Sequence, residues 1–381
     1  MAVRSSLGAA LLVMALTLWY GQPRPAPPDA PSRPPTAALA TSLFLIGDAG
    51  APEADGDRVL RHLAATVTEA SAETAVVYLG DNIYPDGMPP VGTRRYAEAE
   101  RRLLVQVDAA RAADRVVFIP GNHDWTQTGT PGDWDAVVRQ DQRLRVEGFA
   151  LSPRAGCPGP EVIDIGAHMR LVAIDTEWWL HGFPPPRDAT CRHRTADEVL
   201  DGVEAAVRAP ANRHVVIVAH HPPISAGQHA GYFDWQDHLF PLREVASWLW
   251  VPLPGLGSAY PLLRRTGLTP QDQSHPANRH MVAALRARLA PHPPLLYAAG
   301  HEHQLNFLTG ESIGARYVAV SGAGMTGHER EATGRPEGLL FATRTPGFMR
   351  VDVFADGTVR LQVITVPTGT LGRPAHETWL R

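Results

Sequence analysis

Short apolar runs alternate with amphipathic stretches along most of the chain from Thr41 onward. The apolar runs have the length of buried strands and lie at Leu43–Ile46, Ala75–Leu79, Val116–Ile119, Leu171–Ile174, Val215–Val218, Leu295–Ala298 and Tyr317–Val320. The stretches with helical spacing lie at Asp57–Ala70, Arg94–Ala113, Ala196–Val207 and Ala277–Leu289. Thr195, followed three residues later by Glu198, predicts a capping box at the start of the third helix. This alternation predicts an α/β layered domain.

The C-terminal part of the chain follows a different pattern. Phe348–Phe354 and Thr358–Val366 are joined by Asp356-Gly357, a dipeptide typical of hairpin turns. We therefore expect an antiparallel hairpin there. No internal repeat is present in the sequence.

The first forty residues differ from the rest of the chain. Arg4 precedes the apolar run Leu7–Tyr20, which is shorter than the roughly 20 residues that a membrane span needs. Two interpretations of residues 1–21 stay open, a cleaved signal peptide and an uncleaved anchor. A proline-rich linker is expected at 22–40 and the catalytic domain at 41–381. Either interpretation predicts export to the periplasm or the extracellular space, with membrane anchoring in the second case.

Composition excludes several classes of protein. The net charge of −4 gives no electrostatic footprint for nucleic acid. The chain has no lysine, which excludes Schiff-base chemistry and the lysine of phosphate-binding loops. Its two cysteines, Cys157 and Cys191, cannot form a thiolate zinc finger, although an exported protein could join them in one disulfide. Seventeen histidines are a weak indication of metal or acid–base chemistry.

Five of the apolar runs end in a polar cluster. These clusters are Gly47-Asp48-Ala49-Gly50, Gly80-Asp81-Asn82-Ile83-Tyr84, Gly121-Asn122-His123-Asp124, Ala219-His220-His221-Pro222 and Gly300-His301-Glu302-His303. Ligands of α/β sheets bind at the carboxyl ends of strands, so we expect the clusters to meet. Oxygen and nitrogen donors of these kinds suit Zn, Mn or Fe. Since they exceed the needs of one ion, we expect two metals with a shared carboxylate, the arrangement used for attack on phosphorus.

The series of motifs resembles the calcineurin-like metallophosphoesterases, and in particular the purple acid phosphatase branch. Glycine at position 50 replaces the histidine of most relatives, and Tyr84 stands three residues after Asp81, as in that branch. The resemblance covers roughly Ser42 to Ile364. It implies a layered sandwich of two mixed β-sheets flanked by helices, in the small single-domain form.

The resemblance also implies the metal ligands. Asp48, Tyr84 and His303 would hold one ion, Fe(III) at the tyrosine site. The second ion, divalent Fe, Zn or Mn, would be held by Asn122, His220 and His301. Asp81 would bridge the two ions.

Three further residues are implied on the substrate side. His123 and His229 would contact the phosphoryl group, and Asp124 would orient His123. His221 stands where tyrosine is common in the branch, so we expect it to support the ligands rather than to bind metal. Ser321-Gly322-Ala323-Gly324 matches a late family stretch and is expected to give backbone support.

The function implied is hydrolysis of phosphate monoesters with an acidic pH optimum. The expected partner is a small phosphorylated substrate. A phosphodiesterase or nucleotide hydrolase would use the same metals, so it stays an alternative. A non-catalytic binding module is a further alternative, which the complete ligand set disfavours.

One segment fits none of these motifs. Residues 231–273 form an insertion rich in Trp and Pro, with Trp235, Trp248, Trp250 and the run Val251–Leu263. Three interpretations stay open: a lid or substrate-specificity loop over the site, a membrane-interface patch, and a small hydrophobic cluster under a long loop.

Overall fold

The apolar runs predicted as strands pair into two β-sheets. The computed structural model describes residues 37–54, 56–126, 133–181, 190–210, 212–244, 248–327 and 333–381, which belong to one compact unit. Across the first sheet the strands are β13 (Arg373–Leu380), β12 (Val359–Thr365), β11 (Gly347–Phe354), β1 (Leu39–Ile46), β2 (Glu73–Tyr78) and β3 (Arg115–Phe118). Across the second they are β10 (Leu339–Thr343), β8 (Leu305–Thr309), β9 (Tyr317–Ser321), β7 (Leu296–Ala299), β6 (His214–Val218), β5 (Met169–Ala173) and β4 (Glu161–Ile165).

Both sheets are mixed. In the first sheet β1, β2 and β3 are parallel, while β11, β12 and β13 are joined by antiparallel pairing. In the second sheet β5, β6, β7 and β9 are parallel, and β4, β8 and β10 pair antiparallel. The β11–β12 pair is the predicted hairpin. The expected α/β sandwich of two mixed sheets is confirmed.

Six of the eight described α-helices pack on the outer faces of the sandwich, and two short ones lie in the segment 231–273. The eight are α1 (Arg58–Glu69), α2 (Tyr96–Ala110), α3 (Trp134–Val146), α4 (Glu177–Leu180), α5 (Ala196–Arg208), α6 (Trp235–Leu239), α7 (Ala259–Arg265) and α8 (Pro276–Leu289). The predicted capping box is present, since the Thr195 hydroxyl accepts from the Glu198 amide. Helix α1 begins after Asp57, whose carboxylate accepts from the Val59 amide.

Alternate residues of the central strands face opposite cores. Leu43 and Leu45 of β1 point between the sheets, where they join Val216 and Val218 of β6. Phe44 points outward into the core formed with α1 and α2. Strands buried on both faces need apolar residues at every position, which explains the continuous runs in the sequence.

The described residues begin close to the predicted start of the catalytic domain. Residues 1–21 and most of the predicted linker lie outside the described residues, and β1 already begins at Leu39. None of the described helices is both long and apolar enough to cross a membrane. A disulfide joins Cys157 to Cys191, with an Sγ–Sγ distance of 2.04 Å.

Candidate metal centre

The loops after β1, β2, β3, β6 and β7 bring the predicted polar clusters to one end of the sandwich. Backbone hydrogen bonds hold these loops together. The Asp48 amide donates to the Gly80 carbonyl (3.0 Å), and the Gly47 amide donates across the sheets to the Ser321 carbonyl (2.7 Å). The stretch that begins at Ser321 therefore supports the first loop, as expected.

Three candidate ligands have left-handed backbone conformations. The φ angles of Asp48, Asp81 and His301 are 59°, 55° and 69°. Such angles are uncommon for residues other than glycine, and they concentrate at functional sites. The neighbouring loop must approach closely, because a side chain at Gly121 would collide with the Asp81 carboxylate.

The first group of candidate ligands converges on the Tyr84 hydroxyl. Its oxygen lies 3.1 Å from Asp48 Oδ1, from Asp81 Oδ2 and from His303 Nε2. His303 Nε2 is 3.6 Å from Asp48 Oδ1. The structure therefore brings together the set predicted for the first ion.

The second group converges on the Asn122 side-chain oxygen. His220 Nε2 lies 2.9 Å and His301 Nδ1 3.0 Å from Asn122 Oδ1. Asp81 connects the two groups, because its Oδ2 faces Tyr84 while its Oδ1 lies 3.4 Å from His220 Nε2. One carboxylate thus presents an oxygen to each group, as a bridging ligand requires.

The orientation of the two imidazoles fits a cation. His220 Nδ1 lies 2.8 Å from the Leu79 carbonyl, and His301 Nε2 lies 3.3 Å from the Gln271 carbonyl. A carbonyl only accepts, so each of these ring nitrogens carries its proton there. Burial lowers the pKa of His301 well below its usual value, so this ring is neutral and the nitrogen that faces Asn122 Oδ1 presents a lone pair to another lone pair. A metal ion among the three atoms would relieve that repulsion.

The pKa values of the buried acids and of His220 are shifted in ways that a bound cation would change. Burial raises the pKa of Asp48 to about 7. Burial has the same effect on Asp81, but attraction to His220 and His123 outweighs it and holds the pKa of Asp81 well below its usual value. The Asp81 charge also raises the pKa of His220 to about 10, against the effect of burial. Metal uptake would therefore release the His220 proton.

His221 lies beside the ligands. Two clusters have donor atoms within 4.8 Å of one another, Asp48 with Asp81 and His220, and His220 with His221 and His301. Both ring nitrogens of His221 have protein partners, Thr176 Oγ1 at 2.8 Å and Gln271 Oε1 at 2.5 Å. Those partners favour the expected supporting role.

His123 and His229 lie next to the two groups. His123 Nδ1 is 2.7 Å from the Pro85 carbonyl, and its Nε2 is 4.0 Å from Asp81 Oδ2. The ring of His229 lies 3.9 Å from that of His301, centroid to centroid. Arg264 donates to His229 Nδ1 (2.9 Å), so in the neutral ring Nε2 carries the proton.

The expected role of Asp124 is wrong. Its carboxylate accepts from the backbone amides of Gly121 (2.8 Å), Asn82 and Ile83, and not from the His123 ring. Asp124 is fully buried and holds the loop that carries Asp81 against the loop that carries Asn122. The motif alone does not distinguish these roles, because Asp124 follows His123 directly in the sequence.

The motifs missed two supporting residues. Gln271, in the insertion, contacts His301 through its carbonyl and His221 through its side chain. Glu302 accepts from the Ser225 hydroxyl (2.6 Å) and the Ala230 amide (3.2 Å), so it holds the loop of His229. Glu302 lies within a recognised motif, whereas no local signal marks Gln271.

Comparison with known proteins identifies a family whose sequence model matches this chain. The sequence model of the calcineurin-like phosphoesterases matches residues 42–253. No curated protein matches the chain significantly.

Two solved structures have a similar fold. A purple acid phosphatase from yellow lupin (Lupinus luteus) seeds, PPD1, is 13% identical with a TM-score of 0.56, over 92% of this chain and 55% of that one. GAP50, the anchor in the inner membrane complex of Plasmodium, is 14% identical with a TM-score of 0.53, over 90% and 89% of the two chains. This chain thus spans about half of the lupin enzyme's length. At these identities the likeness shows the fold alone.

Proposed function

The chain belongs to the calcineurin-like phosphoesterase family, as its motifs predict, and we propose that it hydrolyses phosphate monoesters at acidic pH with two metal ions. Proteins of this family are metal-dependent hydrolases that bind two ions. The observation that carries the proposal is the placement of Asp81, whose two oxygens face two separate groups of donors. The nature of the substrate and the acidic optimum are the parts that need testing.

The two donor groups differ in the ion that they suit. Burial raises the pKa of Tyr84 well above its usual value, and the charges of Asp48 and Asp81 raise it further. Only a strongly charged cation would hold Tyr84 as a phenolate there, which favours Fe(III) with Asp48, Tyr84 and His303. Asn122, His220 and His301 form a more neutral set, which suits divalent Fe, Zn or Mn.

Two histidines of the chain would bind the phosphoryl group and donate the proton to the leaving group. When bound, the ions supply Lewis acidity toward water and toward the phosphoryl oxygens. His123 and His229 would donate hydrogen bonds to the phosphoryl group, and one of them would protonate the leaving alkoxide. The proton-donating histidine must be charged, so this role predicts that activity falls as the pH rises.

Two measurements on the purified full chain test this proposal. One is metal analysis, and the other is the rate of hydrolysis of monoesters, diesters and nucleotides from acidic to alkaline pH. We expect two ions per chain and a preference for monoesters at acidic pH. Asp81→Asn should bind fewer ions and lose at least ~100-fold in rate, because it removes the shared ligand. Asp86→Asn is the matched control, since Asp86 forms a surface ion pair with Arg95.

Two results would replace the proposal. Faster turnover of diesters or nucleotides would favour those activities on the same centre. A metal-free and inactive protein would favour a non-catalytic role. An anchoring role is the second candidate because GAP50, which shares the fold, is an anchor.

We also propose that the protein is exported, with residues 1–21 as a signal peptide or anchor and the residues from 22 to the start of β1 as a linker. The disulfide between Cys157 and Cys191 supports an oxidising compartment. N-terminal sequencing of the mature protein from separated membrane and soluble fractions distinguishes the two forms. An intact N-terminus in the cytosolic fraction would contradict export.

A further inference from the structure

The insertion at 231–273 carries most of the large apolar side chains that the described residues expose. Eight of the twelve lie there, and we call them the apolar patch: Trp235, Trp248, Trp250, Val251, Leu256, Leu262, Leu263 and Leu268. Trp248 and Leu256 are 76% and 77% exposed. Singly exposed apolar residues are ordinary, but such a concentration marks an interaction surface.

Contacts within the insertion hold part of the patch in place. The ring of Phe240 contacts those of Trp235 and Trp250, with centroid distances of 6.4 and 5.2 Å. The Leu253 amide donates to the Leu239 carbonyl (2.8 Å), which folds the following segment back onto α6. Trp235 and Trp250 are therefore displayed by a folded element.

The charges around the patch suit a lipid surface. No residue from Trp248 to Leu263 is charged. Arg243 lies over the Trp250 ring at 4.1 Å from its centroid. Arg265 is exposed and has no ion pair with any residue that the structure describes. Arginines that border apolar side chains can reach anionic headgroups while those side chains enter the acyl region.

The kinds of residue favour a bilayer over a protein partner. Tryptophan is enriched at the membrane–water interface, and the stretch Trp248–Leu263 has no charged group that would orient a protein partner. The apolar run Leu7–Tyr20 and the stretch Pro23–Pro35 precede the described residues. Thirteen residues extended at about 3.1 Å each reach about 40 Å, so an anchored form would keep the domain close to a membrane.

We propose that the apolar patch docks the domain onto a lipid bilayer, with its tryptophans at the interface and Arg265 at the lipid phosphates. Helix α7 connects this surface to the site. It carries Leu262 and Leu263 of the patch together with Arg264, which donates to His229. Docking would thus set the bilayer one helix away from His229, whether or not the proposed reaction is correct.

A single fluorescent probe in the full chain tests the docking. Both natural cysteines form the disulfide, so Leu256→Cys adds the one reactive thiol, which can carry the polarity-sensitive dye NBD. Vesicles of phosphatidylcholine should shift its emission to the blue and raise the intensity several-fold. Adding phosphatidylglycerol should strengthen the effect through Arg265, and Arg265→Gln should remove that increment.

The matched control is Val146→Cys, an apolar position on α3 that is 76% exposed and outside the patch. Its probe should show no change with vesicles. Attachment through the N-terminal segment alone would carry both proteins to the vesicles and leave both probes in water, which would overturn the proposal. A blue shift that rises with protein concentration without vesicles would also overturn it, because a second copy would then cover the patch. Activity on a soluble monoester is measured in parallel, so failure of catalysis and failure of docking are separate results.

Discussion

Single atoms determine what the candidate centre can bind. Asp81 offers one oxygen to each donor group, and Tyr84 distinguishes the first group from the second. The Tyr84 oxygen is within 3.1 Å of two carboxylates, which disfavour its ionised form. A phenolate at this position therefore depends on a bound cation, and its presence would identify the metal.

Tyr84→Phe is predicted to remove the visible absorption band of a phenolate–iron centre. The substitution deletes the only oxygen of the side chain, so affinity for the first ion should fall at least ~10-fold, the lower end of losses seen for residues that merely orient ligands. Absorption spectra and iron titration measure the two effects. Tyr78→Phe is the control, since that buried hydroxyl donates to the Gln106 carbonyl and to none of the candidate ligands. A colourless wild-type protein with full iron content would show that Tyr84 does not bind Fe(III).

At the scale of the element, the sequence predicted central strands better than edge strands. Strands such as β1 and β6 are buried on both faces and appear as apolar runs. Edge strands β4, β10 and β13 were not predicted. In β4, the alternate residues Val162 and Asp164 are exposed. Strand β13 is largely exposed and begins with Arg373-Pro374. Such strands depend on pairing with a neighbour, which local sequence does not show.

Closeness in the sequence decided which parts of the site were predictable. The ligand loops could be predicted, and the contacts of the insertion could not. Each ligand cluster follows its strand directly in the sequence, so strand order and family motifs bring the clusters together. Gln271 reaches His221, His301 and Glu177 from another part of the chain. These contacts give the end of the insertion a part in building the site, which none of its three interpretations included.

Gln271→Leu is predicted to weaken metal binding and stability together. Leucine keeps the backbone contact to His301 but leaves buried His221 and Glu177 without their amide partner, at a cost of about 1–3 kcal/mol. Metal affinity should fall by roughly 10- to 100-fold, measured by competition with a chelator. Gln236→Leu is the control, because Gln236 lies in the same insertion and accepts from Arg243. Unchanged affinity in Gln271→Leu would show that the insertion does not position the ligands.

For the molecule as a whole, buried acids behind the site make stability depend on pH. Burial raises the pKa of Asp175 to about 7 and that of Glu177 to about 8. The ordinary values are 3.8 and 4.5, so at intermediate pH the folded protein keeps protons that the unfolded chain has released. Their stabilising contribution is complete below the unfolded values and is lost as the pH rises through about 7 and 8.

Glu177→Gln should therefore flatten the dependence of unfolding free energy on pH between about 4.5 and 8. Each unit of pKa difference corresponds to about 1.4 kcal/mol, so wild-type stability should fall by a few kcal/mol over this range, and the variant by less. Urea unfolding with the disulfide intact measures the free energy of unfolding at each pH. A chelator is present so that metal binding does not contribute to it. Glu98→Gln is the control, because hydrogen bonds from Arg101 and Arg102 lower the pKa of that surface carboxylate to about 2, outside the range. An equally steep fall in Glu177→Gln would assign the alkaline loss of stability to other groups, with Asp175 and Asp48 as the next to test.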